Sequence, residues 1–243
     1  MPAKRPASVV GLARTLGLTI TSVPSKARTA LDENLEDISA LLKLHAEKGG
    51  DSRGRRYGLE VLNKSAVVLL TSFWEAYCED LAEEALECIV NHAPSADALP
   101  KEIKKLIAAR LKSDPNELAV WRIADERWRQ VLRDNLKGLQ DARNRRLNTP
   151  KAANINELFE SAVGLSNVSS GWKWATKLTA QGAAAKLDKF VELRGEIAHR
   201  GKATTSVTKA QVVEYLNFIK NAAAKTGDAV NGHVLGVTGR PLW

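Results

Sequence analysis

The sequence predicts an all-α fold, an antiparallel helical bundle with an inserted helical lobe. Three observations predict it. Apolar residues recur at 3.6-residue spacing through several long stretches, no stretch alternates apolar and polar residues for long enough to demand a sheet, and no repeat appears at solenoid spacing. Four strong helices, two before and two after residues 93–181, make the bundle, and the segment between them makes the lobe.

Residues 1–24 mix Pro2, Pro6 and Pro24 with glycines and serines and carry Lys4, Arg5 and Arg14, so they read as a flexible basic arm. The domain then runs over 25–243. Leu31, Leu35, Ile38, Leu42 and His45 follow helical spacing, with Ser25 as a cap and Gly49-Gly50 as a stop. A longer helix is expected from about Tyr57 to His92, built on Leu59, Leu62, Leu69, Leu70, Phe73, Trp74, Tyr77, Leu81, Leu86 and Ile89, and Pro94 helps to end it. Within 93–181 the pattern gives a helix near Lys101 to Lys112 and another from Pro115 to Leu139, with Trp121 and Trp128 on its buried side. A break at Asn148-Thr149-Pro150, a short helix from Ile155 to Val163 and an irregular segment around Trp172 and Trp174 follow. Leu187, Phe190, Val191, Leu193 and Ile197 point inward from a helix between Gly182 and Gly201. Thr208 caps the last helix, expected to end near Thr226, and residues 228–243 form a glycine-rich tail with room for a short strand.

A chain of 243 residues can bury a substantial core without staples. Cys78 and Cys88 lie about 15 Å apart along one helix, too far to bond within the chain, and free thiols suit a reducing compartment. With no apolar run near 18 residues and no secretory leader pattern at the N-terminus, the expected location is the cytoplasm, with no membrane partner. The net charge of +8 favours an anionic partner. That charge is uneven: residues 52–100 hold 4 basic and 8 acidic side chains, and residues 101–151 hold 14 basic and 7 acidic. The basic segment can seat a polyanion, or the two segments can attract one another.

The strongest chemical pattern is LRGEIAHRG, residues 193–201. Arg194 offers a permanently charged planar fork matched to phosphate oxygens, and His199 is the side-chain type that titrates near neutrality. Together they can hold and cleave a phosphodiester without a metal or any other cofactor. Positions five apart on an α-helix stand roughly 140° apart around its axis. Convergence therefore requires the arginine stem to wrap the last turn, the helix to loosen toward Gly201, or a second copy to supply the complementary residue. The second copy is favoured.

With the helix of Val61 to Leu81 and the Asn148-Thr149-Pro150 segment, LRGEIAHRG resembles the HEPN superfamily, and the RiboL-PSP-HEPN type in particular, over about residues 30–225. The resemblance implies a HEPN-like bundle that dimerises, so that the Arg-x4-6-His motifs of two copies line one cleft where RNA is cut without metal. It maps Arg194 and His199 onto that motif. Many members carry a polar residue after the arginine, where this chain has Gly195. The implied reaction is attack of a ribose 2′-hydroxyl on the adjacent phosphate. Arg194 stabilises the phosphoryl oxygens, and His199, near a helix C-terminus that favours cations, is suited to the acid role.

Further candidates follow from chemistry. Glu75, from the acidic run Glu75, Glu79, Asp80, Glu83 and Glu84, is the supporting residue that can orient Arg194 across the bundle, although such runs usually face solvent. Arg200, Lys202, Arg143, Arg145 and Arg146 are the RNA-backbone candidates. Exposed tryptophans would suit base stacking, but Trp121 and Trp128 are expected in the core. Cys88 and His92 share a helix face without the further ligands zinc needs, so no metal site is assigned. The stretch from Gly195 to Lys202 mimics a P-loop but has five residues between its glycines, and Ala203 stands where Ser or Thr should hold magnesium. Two functions remain. One is a homodimeric endoribonuclease in defence or toxin-like growth control, restrained by an antitoxin-like protein. The other is a catalytically silent helical module for dimerisation or for binding nucleic acid or protein.

Overall fold

A computed structural model describes residues 24–49, 58–135, 149–200 and 206–243. Among these, the chain is helical and contains no strand. The principal helices are α1 (Lys26–Gly49), α2 (Glu60–His92), α3 (Lys101–Lys112), α4 (Ala152–Val163), α5 (Ala180–Arg200) and α6 (Lys209–Thr238). The basic arm at 1–23 and the segment carrying Arg143, Arg145 and Arg146 lie outside the described residues.

α2 is the axis of the molecule. It packs against α1, α4, α5 and α6, which explains why its buried positions, among them Ala66, Val67, Leu70, Trp74, Cys78, Leu81, Ala85 and Ile89, are not confined to one narrow stripe. At the centre Trp74 and Trp172 are fully buried and meet edge to face at 5.8 Å, and Trp172 Nε1 donates to Thr226 Oγ1 at 2.9 Å. The segment after α2 and the helices α3 and α4 add Leu99, Ile103, Ile107, Leu158 and Phe159 to the same continuous core.

Polar anchors fix the helix directions. At the start of α1, Ser25 Oγ accepts the Arg28 amide at 3.0 Å, and Glu84 of α2 accepts the Lys26 and Ala27 amides at 3.2 Å each. α1 therefore begins beside the far end of α2 and runs antiparallel to it. Asn63 Nδ2 donates to Val207 O, Thr71 Oγ1 meets Tyr215 Oη, and Tyr77 Oη donates to Ala223 O, pairings separated by 144, 144 and 146 residues. That near-constant offset sets α2 and α6 parallel. α5 runs antiparallel to α6, with Lys186 and Phe190 reaching Phe218 and Tyr215.

Two expectations are corrected. The helix predicted from Pro115 to Leu139 is instead two 3₁₀ segments, Glu117–Ile123 and Asp125–Arg127, followed by a helical run over 128–135. Local side-chain bonds compete with the helix: Asp114 accepts the Asn116 amide, and Asn116 accepts the Leu118 amide. Ala124 is then extended and Asp125 takes a positive φ of 54°. Trp128 is buried as expected, but Trp121 is 68% exposed, next to exposed Leu118, Val120 and Ile123. Arg129 anchors the following run by donating to the Val90 and Ala93 carbonyls at the C-terminus of α2.

The second correction concerns α6, which continues past Thr226 to Thr238 and leaves no strand in the tail. The Thr208–Gln211 capping box starts it, as the sequence suggested, and Gly239 at φ +73° ends it. Gly227, Gly232 and Gly236 do not break it, because Val230 and Val234 continue the apolar stripe and are fully buried. Gly227 also sits in a tight place: a Cβ there would lie 3.1 Å from Tyr77 Oη and 3.5 Å from the Trp243 ring.

Candidate functional site: an arginine cluster on α5

The candidate residues of α5 lie on two strips. Lys186, Phe190 and Arg194 recur every four residues and face α6. Lys186 pairs with Glu214 at 2.5 Å, and Phe190 stacks on Tyr215 with ring centroids 3.9 Å apart and planes 15° apart. Arg194, next on this strip, is half-buried with its Nε inside the protein. Its charge acts on Tyr215 of α6 and on Glu75 of α2. The sequence-predicted supporting residue Glu75 thus lies within electrostatic reach of Arg194.

The second strip holds Asp188, Glu192, Gly195 and His199. Asp188 accepts the Ala152 amide at 2.9 Å and Glu192 binds Lys151 at 2.7 Å, so its first half caps α4 just after the Thr149-Pro150 break. His199, further along, is exposed. α5 stays helical through Arg200, so the chain does not loosen to bring His199 toward Arg194; within one copy the two side chains leave the helix about 140° apart. A Cβ added at Gly195 would meet no heavy atom within 4 Å. The side chain of Arg200, and Lys202 and Asn148, lie outside the described residues.

Burial dominates the electrostatics of the cluster. It pushes the Glu75 carboxyl from 4.5 up to about 7, Glu79 adds to the rise by repulsion, and Arg194 opposes both. Glu75 is thus poised between neutral and charged forms near neutral pH beside a permanent cation. Burial likewise raises the Tyr215 phenol far above its ordinary value, against the hydrogen bond it shares with Thr71 and the attraction of Arg194. Tyr215 is fully buried and remains a neutral phenol. Sequence reasoning had no signal for it beyond the apolar periodicity of α6, which predicts a core residue but not a hydroxyl aimed at α2.

Other sequence candidates stand apart from this cluster. Cys88 Sγ and His92 Nδ1 are 3.7 Å apart, His92 Nδ1 also lies 3.0 Å from the Cys88 carbonyl, and no group of three candidate metal ligands occurs among the described residues. Two cavities lie elsewhere, one of about 290 Å³ lined by Arg28, Asp32, Tyr77 and Trp243, the other of about 210 Å³ between Ile103, Ile107 and Trp128. No helix among the described residues is long and apolar enough to cross a membrane.

The three stretches that carried the family resemblance meet in space: α2 supplies Thr71 and Glu75, the residues after the Asn-Thr-Pro break bind α5, and α5 carries Arg194 and His199. Comparison with curated proteins and with solved structures returned no match to either. The RiboL-PSP-HEPN family model matches residues 29–231, a span that includes α2, α5, most of α6 and both motif residues, and the chain belongs to that family.

Proposed function

We propose that the protein is an endoribonuclease of the HEPN type that cuts RNA without a metal, through a site completed by a second copy of the chain. The observation that carries this reading is on α5: a half-buried arginine whose charge reaches Glu75 of α2 and Tyr215 of α6, and an exposed histidine five residues later on another face of an unbroken helix. One copy displays both groups apart, and two copies joined about α5 would set the arginine of each near the histidine of the other.

In the proposed reaction the ribose 2′-oxygen loses its proton to a base and bonds to phosphorus as the bond from phosphorus to the 5′-oxygen breaks. His199 donates a proton to the departing 5′-oxygen, and Arg194 binds the phosphoryl oxygens as their charge grows. The products are a 2′,3′-cyclic phosphate and a free 5′-hydroxyl, and DNA, lacking the 2′-hydroxyl, is spared. The biological setting is defence or toxin-like growth control, with an antitoxin-like protein as the restraining partner. Arg200, Lys202, Arg143, Arg145 and Arg146 supply phosphate contacts.

Purified protein incubated with labelled RNA in chelator tests the reading. Cleavage to cyclic-phosphate ends is expected, falling at least about 100-fold in His199→Ala and in Arg194→Ala. Intact RNA at high concentrations of folded, dimeric protein would refute it. The second reading, a silent binding module, is favoured by Gly195: the fold leaves open space for a side chain there, yet the polar residue common after the family's arginine is missing.

A further inference from the structure

We infer that the inserted lobe is a docking surface for another protein, and that its occupant is an acidic amphipathic helix. The helix sets one large apolar side chain into the cavity between α3 and the 3₁₀ segment Glu117–Ile123. This stands independently of the chemistry read from α5.

The lobe exposes what a folded chain ordinarily hides. Five of the nine large apolar side chains exposed among the described residues lie between 106 and 123: Leu106, Leu118, Val120, Trp121 and Ile123. Single exposed apolar side chains are ordinary, whereas a contiguous group marks an interaction site. Residues three apart eclipse in a 3₁₀ helix, so Leu118 stands over Trp121 and Val120 over Ile123, making two adjacent apolar ridges. The segment that carries them is pinned. Ala119 is buried, Asn116 accepts the Leu118 amide, and Arg122 pairs with Asp114 at 3.1 Å.

Ile123 joins the ridges to a concavity. It lines the cavity of about 210 Å³, whose deeper wall is Leu99, Ile103, Ile107 and Trp128. A cavity of about 150 Å³ holds a benzene ring, so one leucine or phenylalanine side chain fits here.

Charge selects the occupant. α3, the other side of the cavity, exposes Lys101, Lys104, Lys105, Arg110 and Lys112 against a single acid, Glu102. Among the described residues none of these five cations is ion-paired with an acid of its own chain. Lys104 Nζ donates instead to the Asp97 carbonyl at 3.0 Å, which keeps its charge beside the cavity. An apolar anchor flanked by carboxylates therefore meets unspent cations. RNA fits less well. The aliphatic walls of Leu99, Ile103 and Ile107 offer no donor or acceptor to a base edge, and Trp121 is the one ring of the ridges on which a base would stack. Beside the ridges, Glu117, Asp125 and Glu126 would repel phosphates.

The probe is a stapled helical peptide of about four turns with leucines at i, i+3, i+4 and i+7 and glutamates elsewhere, beside a twin with lysines for the glutamates. Fluorescence anisotropy reads its binding to the full chain. The glutamate peptide should bind, more weakly as salt rises, and the twin should not. Ala108→Leu, which fills the cavity from an exposed position on its wall, and Trp121→Ala should each weaken binding about tenfold or more. Lys104→Glu combined with Lys105→Glu should abolish it and admit the lysine twin. Val213→Ser, at an exposed apolar position on α6, should change nothing. Every substitution is at the surface, and thermal melts establish that each variant folds. A glutamate peptide that fails to bind, equal binding of the twin, or an affinity untouched by Ala108→Leu and Trp121→Ala overturns the inference. Oligouridine or phosphatidylserine vesicles that bind in the peptide's stead, and are released by Trp121→Ala, would overturn it in favour of an RNA or a lipid surface.

Discussion

Glu75→Gln should make the protein more stable in mild alkali and flatten the pH dependence of its stability. The native carboxyl titrates at about 7 against 4.5 for the ordinary group. Between those values the folded chain keeps a proton that the unfolded chain has released, so stability falls as pH rises through that window and levels off above it. At about 1.36 kcal/mol for each pH unit the full loss would approach about 3.4 kcal/mol. Glu75 is only half-buried, and solvent screening reduces this to about 1–2 kcal/mol. Burial and Glu79 outweigh the attraction of Arg194, so removing the charge should relieve more than it forfeits. Urea unfolding of wild type and variant at pH 5 and pH 8 measures the difference directly. The variant should gain about 1–2 kcal/mol on wild type between the two conditions, or about 2–8 °C in melting temperature for a chain of this length. A stability gap that stays the same at both pH values would refute the reasoning, and a variant that loses ground at pH 8 would show that the attraction of Arg194 dominates instead.

Two further outcomes concern the core. Trp172→Phe leaves a cavity beside Trp74 and strands the Thr226 hydroxyl, so it should cost about 2–4 kcal/mol in denaturant unfolding. Gly164→Ala should cost about 2 kcal/mol or more by thermal melt, because Gly164 ends α4 at φ +74° and an added Cβ would sit 2.5 Å from Pro100 Cβ.

Helical spacing made most of the fold legible. Ser25, Thr208 and the apolar stripes located α1, α2, α5 and α6, since each buries a wide face that repeats with the helical period. The same signal failed between Pro115 and Leu139, because Trp121 and Trp128 fit a helix by spacing while Asp114 and Asn116 bond the backbone locally and break it. It failed again after Thr226, where glycines read as punctuation but tertiary burial of Val230 and Val234 holds the helix. Of the candidate site, Arg194 and His199 were legible as chemistry and Glu75 as a charge on a helix that packs against α5. The Tyr215 hydroxyl was not, because its bond to Thr71 depends on α2 and α6 lying parallel, a relation that no local pattern encodes.

That parallel pairing also governs when the molecule can mature. Every anchor between α2 and α6 joins residues about 145 apart, so α2 emerges from the ribosome long before its most intimate neighbour is made. Nascent α2, apolar over much of its girth, has α1 for early cover and must await the rest. Because α6 is synthesised after Arg194 and His199, a chain interrupted before Tyr215 would possess both motif residues yet lack the ring on which Phe190, one turn before that arginine, is stacked.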